Sequence, residues 1–109
     1  MPRDEASEWL AEGLRLVREG EGFAAHELFE QLWRSAAPAE RDFYQGLVHV
    51  AVAPYQELRG NAPGSRRQLE KAVRRLSPYA PAHRGVDVAA LLAWAERALA
   101  TGSCGVPPV

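Results

Sequence analysis

The chain has 109 residues and a formal net charge of −1; 47% of its residues are hydrophobic and 25% charged. That is enough chain for one domain with an ordinary globular composition. No apolar run approaches the ~20 residues a membrane-spanning helix needs, so no such helix is expected. The acidic opening MPRDEASEW lacks the apolar core of a secretory signal, and Cys104, the single cysteine, allows no internal disulfide. A reducing, cytoplasmic setting is expected.

The charge is segregated. Eight acidic residues lie between Asp4 and Glu30 against Arg15 and Arg18, whereas Arg59 to Arg84 carries seven basic residues against Glu70 alone. Such asymmetry fits an anionic partner for the basic half, contact between two copies, or simply two solvated faces.

The first predicted helix runs from about Asp4, as N-cap, to Glu19, with Gly20 as its stop. Trp9, Leu10, Gly13, Leu14 and Val17 recur at helical spacing and face the core. A second helix follows the Gly20-Glu21-Gly22 turn to about Ala36, with Ala25, Phe29, Leu32, Trp33 and Ala36 on its apolar face. Pro38 then opens a third, reaching Arg59. This helix is apolar almost all round, so it belongs inside, with other helices on most sides. Pro54 in its interior predicts a kink rather than a break, because the apolar pattern continues past it.

A fourth helix begins near Pro63 to Ser65 and ends at Leu76. Leu69, Ala72, Val73 and Leu76 turn inward; Arg66, Arg67, Lys71, Arg74 and Arg75 form a basic outer face. Ser77 to Val86 reads as an ordered loop, and Asp87 caps a fifth helix that buries Val88, Leu91, Leu92, Ala95 and Leu99. Residues 102–109 read as a flexible tail beyond a single helical domain of residues 1–101.

A weak repeat at an offset of forty residues relates Gly20, Phe29, Glu30, Ala36 and Pro38 to Gly60, Leu69, Glu70, Leu76 and Pro78. The fold class expected is therefore all-α: a compact bundle of about five helices, two helical hairpins plus a C-terminal closing helix.

One polar stripe interrupts the apolar third helix: Asp42, Gln45, His49 and Gln56, at i, i+3, i+7 and i+14. On the second helix His26, Glu30 and Trp33 form a row at i, i+4 and i+7. The short connection makes the two helices antiparallel neighbours, so stripe and row are expected to face each other. Two histidines and a carboxylate converging there could hold a divalent metal with open positions, with His26, Glu30 and His49 as ligands. The same groups could instead satisfy one another through hydrogen bonds. Trp33 reads most simply as a core residue, and Gly46 as a point of close helix approach. No nucleophile arrangement or Gly-rich phosphate loop can be argued from spacing.

AHELFEQLW (Ala25 to Trp33), ERDFYQGLVHVAVA (Glu40 to Ala53), RGNAPGSRRQLEKAVRRLSPY (Arg59 to Tyr79) and GVDVAALL (Gly85 to Leu92) together resemble the domain of unknown function 309 family. The resemblance covers nearly the whole chain and implies an all-helical fold without an assigned activity. It singles out His26, Glu30, Trp33, Gln45 and Gly46 as motif positions.

The function expected is a binding or interaction module centred on the groove between the second and third helices, with a protein partner or a second copy among its possible partners. One alternative is a metal-dependent, hydrolase-like enzyme using His26, Glu30 and His49. Another is a nucleic-acid or phosphate binder using the arginine face, although no aromatic residues interleave it to stack bases.

Overall fold

The computed structural model describes residues 5–109. Asp4, expected to cap the first helix, lies outside the described residues. Five α-helices follow in order: α1 (Glu5–Arg18), α2 (Gly22–Ser35), α3 (Pro38–Leu58), α4 (Ala62–Leu76) and α5 (Val88–Thr101). Between α4 and α5 the chain makes a 3₁₀ turn (Ser77–Tyr79) and a minimal antiparallel hairpin, β1 (Ala82–His83) with β2 (Val86–Asp87). The all-α expectation holds, and no helix among the described residues is long and apolar enough to cross a membrane.

Each helix packs chiefly on its neighbours in sequence, α1 on α2, α2 on α3, α3 on α4 and α4 on α5. The radius of gyration is 12.9 Å, close to the ~13 Å expected of a compact domain this long. As its all-round apolar character predicts, α3 is the central element: Phe43, Leu47 and Val50 are fully buried beside Phe29 of α2, Leu76 of α4 and Leu91 of α5. It runs unbroken through Pro54.

The weak repeat corresponds to a geometric one. At the end of α1, Glu21 N donates to Leu16 O (2.8 Å) and Gly20 N to Val17 O (3.1 Å). Forty residues on, Asn61 N donates to Gln56 O (2.9 Å) and Gly60 N to Glu57 O (3.0 Å). Both are Schellman stops, and they require the left-handed backbone that Gly20 and Gly60 supply at φ of +79° and +76°. Each hairpin turn is therefore closed by the same pair of bonds. Asn61 then caps α4 by accepting Gly64 N (2.9 Å), which starts that helix at Ala62, slightly earlier than its prolines suggest.

Three expectations are corrected. The loop before α5 contains the β1–β2 hairpin, whose Arg84-Gly85 turn takes positive φ at both residues. Glu40 of α3 pins it, accepting from His83 Nε2 (2.8 Å) and pairing with Arg84. On α5 the buried side includes Trp94 and Ala98, while Leu92 and Leu99 are half-buried. The tail expected to be flexible is packed. Cys104 is buried; its carbonyl accepts Trp94 Nε1 (2.6 Å) and its amide donates to Glu57 Oε2 (2.7 Å). Arg18 reaches the carbonyl of Val109 (3.3 Å).

Candidate ligand-binding cavity

Helix periodicity sends Ala25, Phe29 and Leu32 of α2 into the core and leaves His26, Glu30 and Trp33 on its border. The border opens onto a cavity of about 330 Å³ at the junction of α2, α3 and α4. Besides those three residues it is lined by Gln45, Val48, His49 and Val52 of α3 and by Gln68 of α4. Five of the six candidate positions thus share one cavity. The sixth, Gly46, does not line it. A Cβ there would lie 2.6 Å from the Leu76 side chain and 3.3 Å from Arg75 Cβ, so this glycine serves the close approach of α3 to α4.

The stripe on α3 meets the row on α2 only in part: Gln45 and His49 border the cavity with His26, Glu30 and Trp33, whereas the bonds the stripe makes run to α4. Asp42 pairs with Arg75 (2.9 Å), His49 with Gln68 (2.7 Å) and Gln56 with Asn61 (3.1 Å). All three partners belong to α4 or to its N-cap. The hairpin turn brings α4 against the stripe, and α2 meets it only at the cavity mouth. Among the described residues no three His, Cys, Asp or Glu side chains converge to hold a metal ion. The three-ligand set of His26, Glu30 and His49 is therefore not assembled.

Each histidine has a defined tautomer. His26 Nδ1 stands 2.9 Å from the carbonyl of Phe23; a carbonyl only accepts, so Nδ1 carries the proton. His26 Nε2 then faces Glu30 Oε1 at 3.4 Å. His49 Nδ1 donates to Gln68 Oε1, leaving Nε2 without a hydrogen bond among the described residues. Burial lowers the His49 pKa from its ordinary value, and the charges of Lys71, Arg75 and Arg74 lower it further, against the opposing bond to Gln68. The imidazole is therefore neutral at neutral pH.

Trp33, expected in the core, is half-buried, with the Arg41 guanidinium 5.0 Å from its ring centroid. Neither its Nε1 nor the Gln45 amide has a hydrogen-bond partner among the described residues. Of the alternative in which the motif residues satisfy one another, the structure holds the His26–Glu30 pair (3.4 Å), while His49 turns to Gln68 instead. Sequence reasoning missed Gln68. Its one signal was position, a polar residue four before the inward Ala72 on the border of α4's apolar face.

The basic face of α4 is less continuous than its spacing suggests. Arg75 turns inward to Asp42, and Arg66 reaches the carbonyl of Leu99 on α5 (3.4 Å). Arg67, Lys71 and Arg74 remain exposed. Nothing in this arrangement favours nucleic acid over solvent.

Comparison with known proteins places this cavity in a family context. An uncharacterised protein of Aquifex aeolicus (strain VF5) is 26% identical over 103 residues, 94% of this chain and 31% of its own length. The uncharacterised protein YpuF of Bacillus subtilis (strain 168) is 32% identical over 66 residues, 60% of this chain and 36% of its own length. The chain thus spans about a third of the length of the curated relatives it matches. No solved structure matches. The family described as Domain of unknown function (DUF309) matches residues 10–68, a span that holds every residue lining the cavity. On that match, the chain belongs to the DUF309 family.

Proposed function

We propose that the protein is a ligand-binding module whose site is the α2–α3–α4 cavity. One observation carries the reading. Polar atoms from two helices, His49 Nε2, the Gln45 amide and Trp33 Nε1, border one cavity without hydrogen-bond partners among the described residues. Val48 and Val52 supply apolar wall beside them. A few convergent polar groups on an apolar surface are what small-ligand sites require. These atoms open onto the cavity and are not sealed in the core, so water or a ligand can bond them there. At about 330 Å³ the cavity suits a small molecule or one side chain of a partner. Because the curated relatives are longer, we assign the module binding and leave chemistry to whatever it serves. A reducing, cytoplasmic setting is part of the same reading, supported by the single thiol.

The test is a fragment screen by ligand-observed NMR, repeated on Val52→Trp, which fills the cavity from α3. Hits on the native protein that vanish in a folded Val52→Trp variant support the reading. Hits that persist in the variant, or no hits at all, overturn it.

A further inference from the structure

Three of the cavity's polar groups, His26 Nε2, His49 Nε2 and the Glu30 carboxylate, are acceptors drawn from facing helices, beside the donors of Trp33, Gln45 and Gln68. These three select a ligand class. The Phe23 carbonyl fixes the proton of His26 on Nδ1 (2.9 Å) and turns a bare Nε2 toward Glu30 Oε1 (3.4 Å). In that tautomer an imidazole nitrogen and a carboxylate oxygen stand side by side as two acceptors. On the opposite wall, His49 has given its Nδ1 proton to Gln68 (2.7 Å) and likewise offers a bare Nε2. Glu30 is the one formally charged residue in the lining. A carboxylate or phosphate would meet lone pairs at each of these atoms. A group that only donates and carries positive charge would satisfy all of them.

We propose that the cavity binds an organic cation of guanidinium or alkylammonium type. Its head would lie between Glu30 and the two imidazole Nε2 atoms, and its stem against Val48 and Val52. This rests on the ligand-site reading above and names its ligand class. A guanidinium fits best, because its fixed fork of five donors can address several acceptors at once. The Trp33 ring already holds the Arg41 guanidinium at 5.0 Å, so cation recognition by aromatic surface is in use at the cavity edge. Of the cations nearby, Arg34, Arg41, Lys71 and Arg74 are solvent-exposed, where water and salt screen them, and the half-buried Arg75 is paired with Asp42 (2.9 Å). Arg34 also stands 3.6 Å from Glu30 Oε2 and so competes with the ligand for that carboxylate.

The experiment titrates n-butylguanidinium, butyrate and butyramide into the protein at pH 8. The readouts are the Trp33 Nε1–H signal and the imidazole Hε1 signals of His26 and His49. The same titrations are run on Glu30→Gln, Arg34→Ala and Val52→Trp, each first shown to be folded by its thermal melt. The cation is expected to shift all three signals, to bind at least about tenfold more weakly to Glu30→Gln, and to bind more tightly to Arg34→Ala. A merely structural Glu30 would give no opposite response to these two changes. Butyrate or butyramide binding as well as the cation, in a manner blocked by Val52→Trp, overturns the ligand class but keeps the ligand site. Cation binding indifferent to Glu30→Gln overturns the class as well. No shift with any of the three probes overturns the class; it falls together with the site only if the fragment screen is also blank.

Discussion

His49 on α3 donates its Nδ1 proton to Gln68 Oε1 on α4 across 2.7 Å, and both side chains border the cavity. The bond fixes the imidazole tautomer and ties the second hairpin together beside the site. Gln68→Leu leaves Nδ1–H of a residue only 8% exposed without a partner. The expected loss is about 1–3 kcal/mol of stability in urea unfolding. Gln68→Glu should instead keep the bond and raise the His49 pKa, read by imidazole NMR titration.

His49 also predicts the sign of a pH effect. Its folded pKa lies below the ordinary 6.5 because burial disfavours the charged ring. Between 6.5 and that lower value the unfolded chain holds more protons than the folded one. Stability therefore falls as pH drops through this window and levels off below it. His49→Gln should show a shallower slope than the native protein in chemical unfolding between pH 7 and 5.

Glu40 acts in a different window. Its carboxyl is held below the usual 4.5 by the bonds from Arg84 and His83, in that order. Its contribution is complete above 4.5 and is lost as pH falls through the lower folded value. Protection factors of the Val86 and Asp87 amides, taken against the intrinsic exchange rate at each pH, should fall on acidification in the native protein. In Glu40→Gln they should already be low at neutral pH and change little with acid.

Gly46→Ala would press a methyl group into Leu76, which lies 2.6 Å from the added carbon. Overpacking of this kind costs roughly 1–3 kcal/mol. Leu76→Ala alone costs about 2–5 kcal/mol as a cavity. The double variant should be more stable than the sum of the two losses predicts, since each change relieves the other.

The Cys104 thiol is buried, and its pKa is raised first by that burial and then by Glu57. Reaction with a thiol reagent should be slow and should track opening of the tail. Trp94→Phe removes the indole bond to the Cys104 carbonyl and should speed the reaction without exposing the rest of the core.

Apolar spacing alone revealed most of the architecture. Phe29, Leu69 and Leu91, each assigned to a helix face, are buried, the third helix read as apolar all round is central, and Gly20 ends its helix as read. Periodicity reports which face is wet or dry, but not which neighbour covers it. That is why Asp42, Gln45 and His49 were grouped correctly, yet the α4 partners of Asp42 and His49 were not foreseen. Gln68 had no pattern to announce it, because one amide on a helix border resembles any solvated residue until its partner is known. The tail was misread for a similar reason. Gly, Ser and Pro describe a chain without its own secondary structure, and they say nothing of the side chains that hold it, Trp94 on the preceding helix and Glu57 far away in sequence.

The matched turns at Gly20 and Gly60 make the molecule two copies of one hairpin pattern stacked side by side, with the cavity on the seam. Its wall comes from the last helix of the first copy and both helices of the second. A single hairpin cannot build such a site, however complete its own side chains. The two hairpins differ where the site needs them to: Gln68 stands where the first hairpin has Leu28, and His49 where it has Trp9. A third hairpin stacked in the same way would create a second seam, open to its own choice of residues.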